Sequence, residues 1–174
     1  TIPNLKVTKK IGQYFYAQNY LQDYNWNNVT ILIVEDDDHS FSFLKEILKK
    51  TYANVIRAKS ALSAIDICKS NLNIDIVMMD IRLPEMDGYE ATMQIKKIRK
   101  SLPVIAQTAY AMAGDKEKSI LAGCDDYIAK PIDINKLLPK INQFLARKPD
   151  PAQHDRKKEE IDTLYLLVHV LISL

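Results

Sequence analysis

Five short apolar or β-branched runs alternate with five helical patterns along residues 30 to 146, and this alternation constrains the fold more than any other feature of the chain. The runs are Thr30 to Val34, Asn54 to Ala58, Ile76 to Met79, Pro103 to Thr108 and Asp126 to Ala129. After Ser40, Phe41, Leu44, Ile47 and Leu48 recur at helical spacing, with Asp38 or Ser40 as the expected cap. Ser60 to Ser70 forms a second helix with Ala61, Leu62, Ala64, Ile65 and Cys68 on its inner side, and Gly88 to Arg99 a third, capped by Asp87 with Ala91, Ile95 and Ile98 inward. A short helix over Asp115 to Ala122, closed by Gly123 in the left-handed region, and an amphipathic helix over Asp133 to Ala146 complete the series. Strict alternation argues for an α/β protein with a parallel, doubly wound sheet and right-handed crossovers.

The third run carries the most information. It is unbroken from Ile76 to Met79, as suits a strand buried on both faces, and stops on a carboxylate, Asp80. Pro84 and the Asp87-Gly88 pair then force a loop. The first run also ends on acids, Glu35 to Asp38; Asp37 and Asp38 are best explained by capping and the helix dipole, but Glu35 and Asp36 stand at the strand end. The fourth run ends on Thr108 and the fifth on Lys130-Pro131. In a parallel sheet these polar ends share one edge, where ligands of open α/β folds bind.

A chain of 174 residues with 47% hydrophobic content can bury one sizeable core, so one domain over 29–147 is expected, preceded by a linker or the tail of another domain over 1–28. Residues 148–174 read as a linker and a short apolar tail, Ile161 to Leu174, too short to span a bilayer. A net charge of +2 implies no affinity for nucleic acid or anionic membrane. Cys68 and Cys124 lack metal spacing and read as buried, reduced thiols, which fits an intracellular, cytoplasmic protein. The four glycines are scattered and form no phosphate cradle, which weakens nucleotide-binding enzymes as a class.

Glu35, Asp36, Asp80, Thr108 and Lys130 thus converge on one shallow cleft. Three neighbouring carboxylates repel unless one is protonated or a hard cation joins them, and a small all-oxygen cluster suits Mg2+. An aspartate beside a cation, an ammonium and a hydroxyl is equipped for phosphoryl transfer, since all three can share charge on the equatorial oxygens. The pattern is that of an aspartyl-phosphate site.

Ile31 to Asp37, Met78 to Gly88, Ile105 to Ala109 and Tyr127 to Pro131 together resemble the receiver domain of two-component response regulators, over about Asn28 to Arg147. The resemblance implies a flavodoxin-like sheet of order 2-1-3-4-5 with five helices. It implies that Asp80 accepts the phosphoryl group from a phosphohistidine, that Asp36 ligates Mg2+ directly, that Glu35 acts through water, and that the backbone carbonyl of Arg82 completes the protein ligands. Thr108 and Lys130 would hold the phosphoryl oxygens, Lys130-Pro131 would be cis, and Tyr127 would be the aromatic that turns inward when Thr108 moves. Arg82 and Tyr110, two places beyond Asp80 and Thr108, would tune hydrolysis of the acyl phosphate.

The implied partner is a histidine kinase or histidine phosphotransfer domain, and a second copy would dock through helix four, strand five and helix five. The phrases Gln107 to Met112 and Gly123 to Tyr127 resemble the receivers of hybrid sensor histidine kinases, whose kinase activity would lie outside this chain. On that reading the chain is a cytoplasmic part of a membrane-bound sensor. A stand-alone regulator is the alternative. An Mg2+ phosphatase with an aspartate nucleophile is disfavoured because Arg82 stands where such enzymes carry a second acid. A non-phosphorylated interaction module on the same fold is disfavoured by the intact acids and Lys130.

Overall fold

The computed structural model describes residues 24–109 and 118–146. Most of the two flanking segments, Tyr110 and the expected start of the fourth helix at Asp115 lie outside the described residues. The strands are β1 (Thr30–Val34), β2 (Asn54–Ala58), β3 (Ile76–Asp80), β4 (Val104–Thr108) and β5 (Asp126–Ala129). They form one parallel sheet in the order β2-β1-β3-β4-β5. The helices are α1 (Asp38–Lys49), α2 (Ala61–Ser70), α3 (Gly88–Ile98), α4, described over residues 118–121, and α5 (Ile134–Leu145).

The central strands are apolar without interruption because helices cover both faces. Leu32, Val34, Val77, Met79, Val104 and Ala106 pack against α2 and α3 through Ala64, Ile65, Ala91 and Ile95. Their alternates Ile31, Ile33, Ile76, Met78, Ile105 and Ile128 meet Leu44 and Leu48 of α1 and Leu137 and Ile141 of α5. Complete burial of each Ile or Leu contributes ~1.5–3 kcal/mol, so neither face tolerates a register slip.

The local expectations hold with small corrections. The cap of α1 is Asp37, whose Oδ1 accepts from the Ser40 amide at 2.7 Å, rather than Asp38 or Ser40. Ser60, Asp87 and Asp133 cap α2, α3 and α5 in the same way. Gly123 closes the α4 turn at φ +87°. Leu62 and Ile98 are exposed, not inward. At about 100° per residue, Leu62 falls outside the arc shared by Ala61, Ala64, Ile65 and Cys68, and Ile98 lies at its rim in the last turn of α3. Trp26, in the segment assigned to the linker, is buried among the α1 and α5 residues; its amide donates to the Thr51 carbonyl at 2.7 Å. The packed unit therefore takes in Trp26. Cys68 and Cys124 are free and buried, and burial pushes the Cys68 thiol up to about 11.

One glycine sets how closely α3 approaches β3. Gly88 donates its amide to the Ile81 carbonyl at 3.0 Å, and a Cβ there would overlap the Asp80 carbonyl oxygen and stand 2.9 Å from Ile81 Cα. Both obstacles are backbone and cannot swing aside. Gly88→Ala is expected to destabilise by about 3 kcal/mol, the upper end of ordinary overpacking, and to move the Asp80 backbone with it. Chemical denaturation with an unchanged midpoint would show that α3 can back away.

Candidate functional site

The site is built where β1, β3 and β5 run out on the α1/α5 side of the sheet. Val34 pairs with Met79, which places Glu35 beside Asp80 on that face, and Asp80 pairs with Gln107. Glu35 is 1% and Asp80 5% exposed. Two buried carboxylates on adjacent strands are costly unless charge compensates them. The compensation comes from the end of β5: Lys130 Nζ donates to Asp80 Oδ2 at 2.6 Å and to Glu35 Oε2 at 2.7 Å. Its backbone is anchored by the amide donating to the Thr108 carbonyl at 2.7 Å, and the Lys130-Pro131 bond is cis. The Arg82 amide donates to Asp80 Oδ1 at 3.0 Å, so both Asp80 oxygens have donors.

Asp36 stands exposed at the mouth. Glu35, Asp36 and Asp80 each offer a carboxylate oxygen, all within 4.8 Å of one another. Hard oxygen donors at that spacing fit a small divalent cation such as Mg2+. Thr108 is buried at the end of β4, and Tyr127 is half-buried against the α2/α3 side of the core with the Lys140 ammonium 5.8 Å from its ring centre. Arg82 is exposed at the rim. The structure thus brings Glu35, Asp36, Asp80 and Lys130 together, with Thr108 at the adjoining end of β4, its carbonyl bonded to the Lys130 amide; Tyr110 lies outside the described residues.

Two neighbours of the site escaped the sequence reading. Arg57, from β2, bonds the turn that carries the acids. Gln107 is fully buried beside Asp80, and neither of its amide atoms has a hydrogen-bond partner among the described residues. An amide so placed costs ~1–3 kcal/mol. A lone amide directly after the apolar run Val104 to Ala106, still within β4, was the available signal for Gln107. Arg57 had none, because only the β1–β2 pairing reveals what it faces.

The electrostatics give a pH dependence. Burial pushes the Glu35 carboxyl above its usual range; the Lys130 bond pulls the other way, and the Asp80 charge adds to the rise. Between the unfolded value of 4.5 and the raised folded value, the folded state holds a proton that the unfolded chain has lost. Glu35 therefore contributes stability below pH 4.5 that is lost as pH rises through its folded pKa. Glu35→Gln should flatten that part of the melting-temperature profile measured without divalent ions. A slope unchanged from wild type would assign the titration to another group.

A family model described as the response regulator receiver domain matches residues 31–142. The polar-differentiation response regulator DivK of Brucella ovis is 35% identical over 118 residues, 67% of this chain and 95% of that protein. Among solved structures, the receiver domain of a Pseudomonas aeruginosa sensor histidine kinase, determined with a magnesium ion coordinated in its active-site cleft, is 30% identical with TM-score 0.64, covering 68% of this chain and 98% of that one. The receiver domain of the Saccharomyces cerevisiae response regulator Ssk1, solved with the histidine phosphotransfer signalling protein Ypd1, is also 30% identical with TM-score 0.64, over 67% and 88% of the two chains.

Proposed function

The chain belongs to the response regulator receiver family, and from that premise we propose that it accepts a phosphoryl group from a phosphohistidine onto Asp80, with Mg2+, and changes conformation in response. The observation that carries this reading is the Lys130 ammonium within 2.7 Å of two buried carboxylates, one of them Asp80. An Asp80 oxygen attacks the phosphorus, the N–P bond breaks, and the imidazole leaves with the electron pair. Lys130 and the Thr108 hydroxyl share the charge on the equatorial oxygens. Glu35, Asp36, Asp80 and the Arg82 carbonyl would hold Mg2+, Glu35 acting through water. Bound there, Mg2+ neutralises phosphoryl charge.

The donor is a histidine kinase or a histidine phosphotransfer domain, the class to which the yeast partner Ypd1 belongs. Two contexts are supported. Similarity to the receiver of a sensor histidine kinase favours a hybrid kinase, whose kinase core would lie outside this chain. A stand-alone regulator is favoured by DivK, 95% of whose length is covered by a match of receiver size. Output would run from Thr108 to Tyr127 and the face of α4, β5 and α5, where Ile120 and Leu121 stand exposed and a second copy would dock.

The reading is tested by incubating the full chain with a small phosphodonor and Mg2+ and mapping the acyl phosphate by mass spectrometry. Label on Asp80 is expected; label on any other residue overturns the assignment. Arg82 and Tyr110 would shield the phosphoryl group from in-line water, giving slow self-hydrolysis. Decay in wild type is therefore expected to be slower than in Arg82→Asn with Tyr110→Glu, in excess Mg2+. Equal or faster decay in wild type removes the shielding role.

A further inference from the structure

We infer that Arg57 is a positioning residue for the cation site: its guanidinium grips the backbone carbonyls of Glu35 and Asp36 and the Asp38 carboxylate, and so sets where the Glu35 and Asp36 carboxylates stand. The inference rests on the reading that Glu35, Asp36 and Asp80 hold Mg2+. Arg57 lies in β2 opposite Ile33 of β1, and its side chain is only 16% exposed. Its Nε donates to the Glu35 carbonyl at 3.1 Å, Nη2 to the Asp36 carbonyl at 3.0 Å and Nη1 to Asp38 Oδ1 at 2.5 Å. Phe41 in the first turns of α1 lies under the cation, 4.4 Å from ring centre to guanidinium carbon. One rigid group therefore ties together both residues that follow β1 and the start of α1.

Geometry explains why the grip acts on the site. Four acids in succession, Glu35 to Asp38, repel one another and would open the turn. The Glu35 amide is held by the Ala58 carbonyl at 3.1 Å, and the Asp37 side chain caps α1. Between these two anchors, the carbonyls of Glu35 and Asp36 are fixed by Arg57. A guanidinium presents its donors in a fixed planar fork; an ammonium at the same place is a point charge on a flexible stem and cannot reach all three acceptors with that geometry.

Charge and positioning predict opposite signs. A cation beside a divalent-ion site weakens ion binding by repulsion, so if Arg57 acted only through its charge, removing it would tighten Mg2+. If it positions the ligands, removing it loosens Mg2+, by about tenfold for partners that orient metal ligands.

The test is calorimetric titration of the full chain with Mg2+ alone, in wild type, Arg57→Gln, Arg57→Lys and Asp36→Asn, with circular dichroism to establish the folded fraction. Weakening of about tenfold is expected in both Arg57 variants, including the lysine variant that keeps the charge. Arg57→Lys retains the cation and most of the stem, and it carries the test alone if Arg57→Gln does not fold. Affinity in Arg57→Lys equal to or tighter than wild type overturns the inference, whatever happens to the melting temperature. Asp36→Asn separates the two levels. If it binds Mg2+ like wild type, the cation reading itself fails; if it loses binding while the Arg57 variants keep it, only the positioning role fails.

Discussion

Asp80→Asn is expected to bring phosphoryl uptake from a small donor below detection while leaving the protein folded. The substitution keeps the side chain's shape, and the amide oxygen can still accept from the Arg82 amide, now 3.0 Å from Asp80 Oδ1. It removes the anionic nucleophile, and no neighbour is placed like it: Glu35 is 1% exposed with Oε2 on Lys130, and Asp36 is exposed at the mouth without a Lys130 contact of the kind Asp80 has. Stability should change little, because relief of repulsion between Glu35 and Asp80 offsets the loss of one of the two Lys130 ion pairs. Labelling by mass spectrometry and a denaturation curve on the same sample check both halves. Uptake that persists in the variant would move the acceptor elsewhere.

Lys130→Met should have the largest effect on stability. Burial pulls the Lys130 pKa down, but its bonds to Asp80 and Glu35 more than offset this, so it rises and the ammonium stays charged throughout the neutral range. Its contribution is complete below the unfolded value of 10.5 and is lost only as pH rises through the folded value. Replacing it with a side chain of similar length leaves two buried carboxylates uncompensated, a loss of about 3–5 kcal/mol at neutral pH for a broken buried pair. Lys130 is 26% exposed, which places the expected value at the lower end of that range. The deficit should shrink as pH falls, because burial raises the Glu35 pKa and a protonated Glu35 leaves one fewer charge uncompensated, and shrink again on adding Mg2+. Urea denaturation at two pH values with and without Mg2+ gives all four numbers. A deficit that neither acid nor cation reduces would show that lost packing, not charge, is responsible. Phosphoryl uptake should fall by about 10²–10³, as for other preorganised charges aimed at a transition state.

Much of this site could be read in the chain because its parts are punctuation. A strand that ends on a carboxylate, a hydroxyl or a lysine is a local event, and parallel topology places all such ends on one edge. Asp80, Glu35, Asp36, Thr108 and Lys130 were found that way. Helix caps were legible to within a residue: Asp37 replaced Asp38 or Ser40 because the helix begins at Asp38. Leu62 and Ile98 were misassigned because an apolar residue near the edge of a helical stripe has the same spacing whether or not the sheet extends under it.

The alternation of strand and helix, the doubly buried central run and the polar strand ends were determined by the sequence alone, since each depends on residues within one or two turns. Only the tertiary structure decided that Lys130 reaches Glu35 and Asp80, contacts that span 95 and 50 residues of chain. It likewise decided that Arg57 grips the acidic turn, that Gln107 lies beside Asp80 with no hydrogen-bond partner among the described residues, and that Trp26 joins the core. These contacts depend on strand order and register, which are set by the summed burial of both sheet faces. No local pattern encodes that sum, because a shift of one residue in any strand would exchange its two faces and bring different side chains to the same edge.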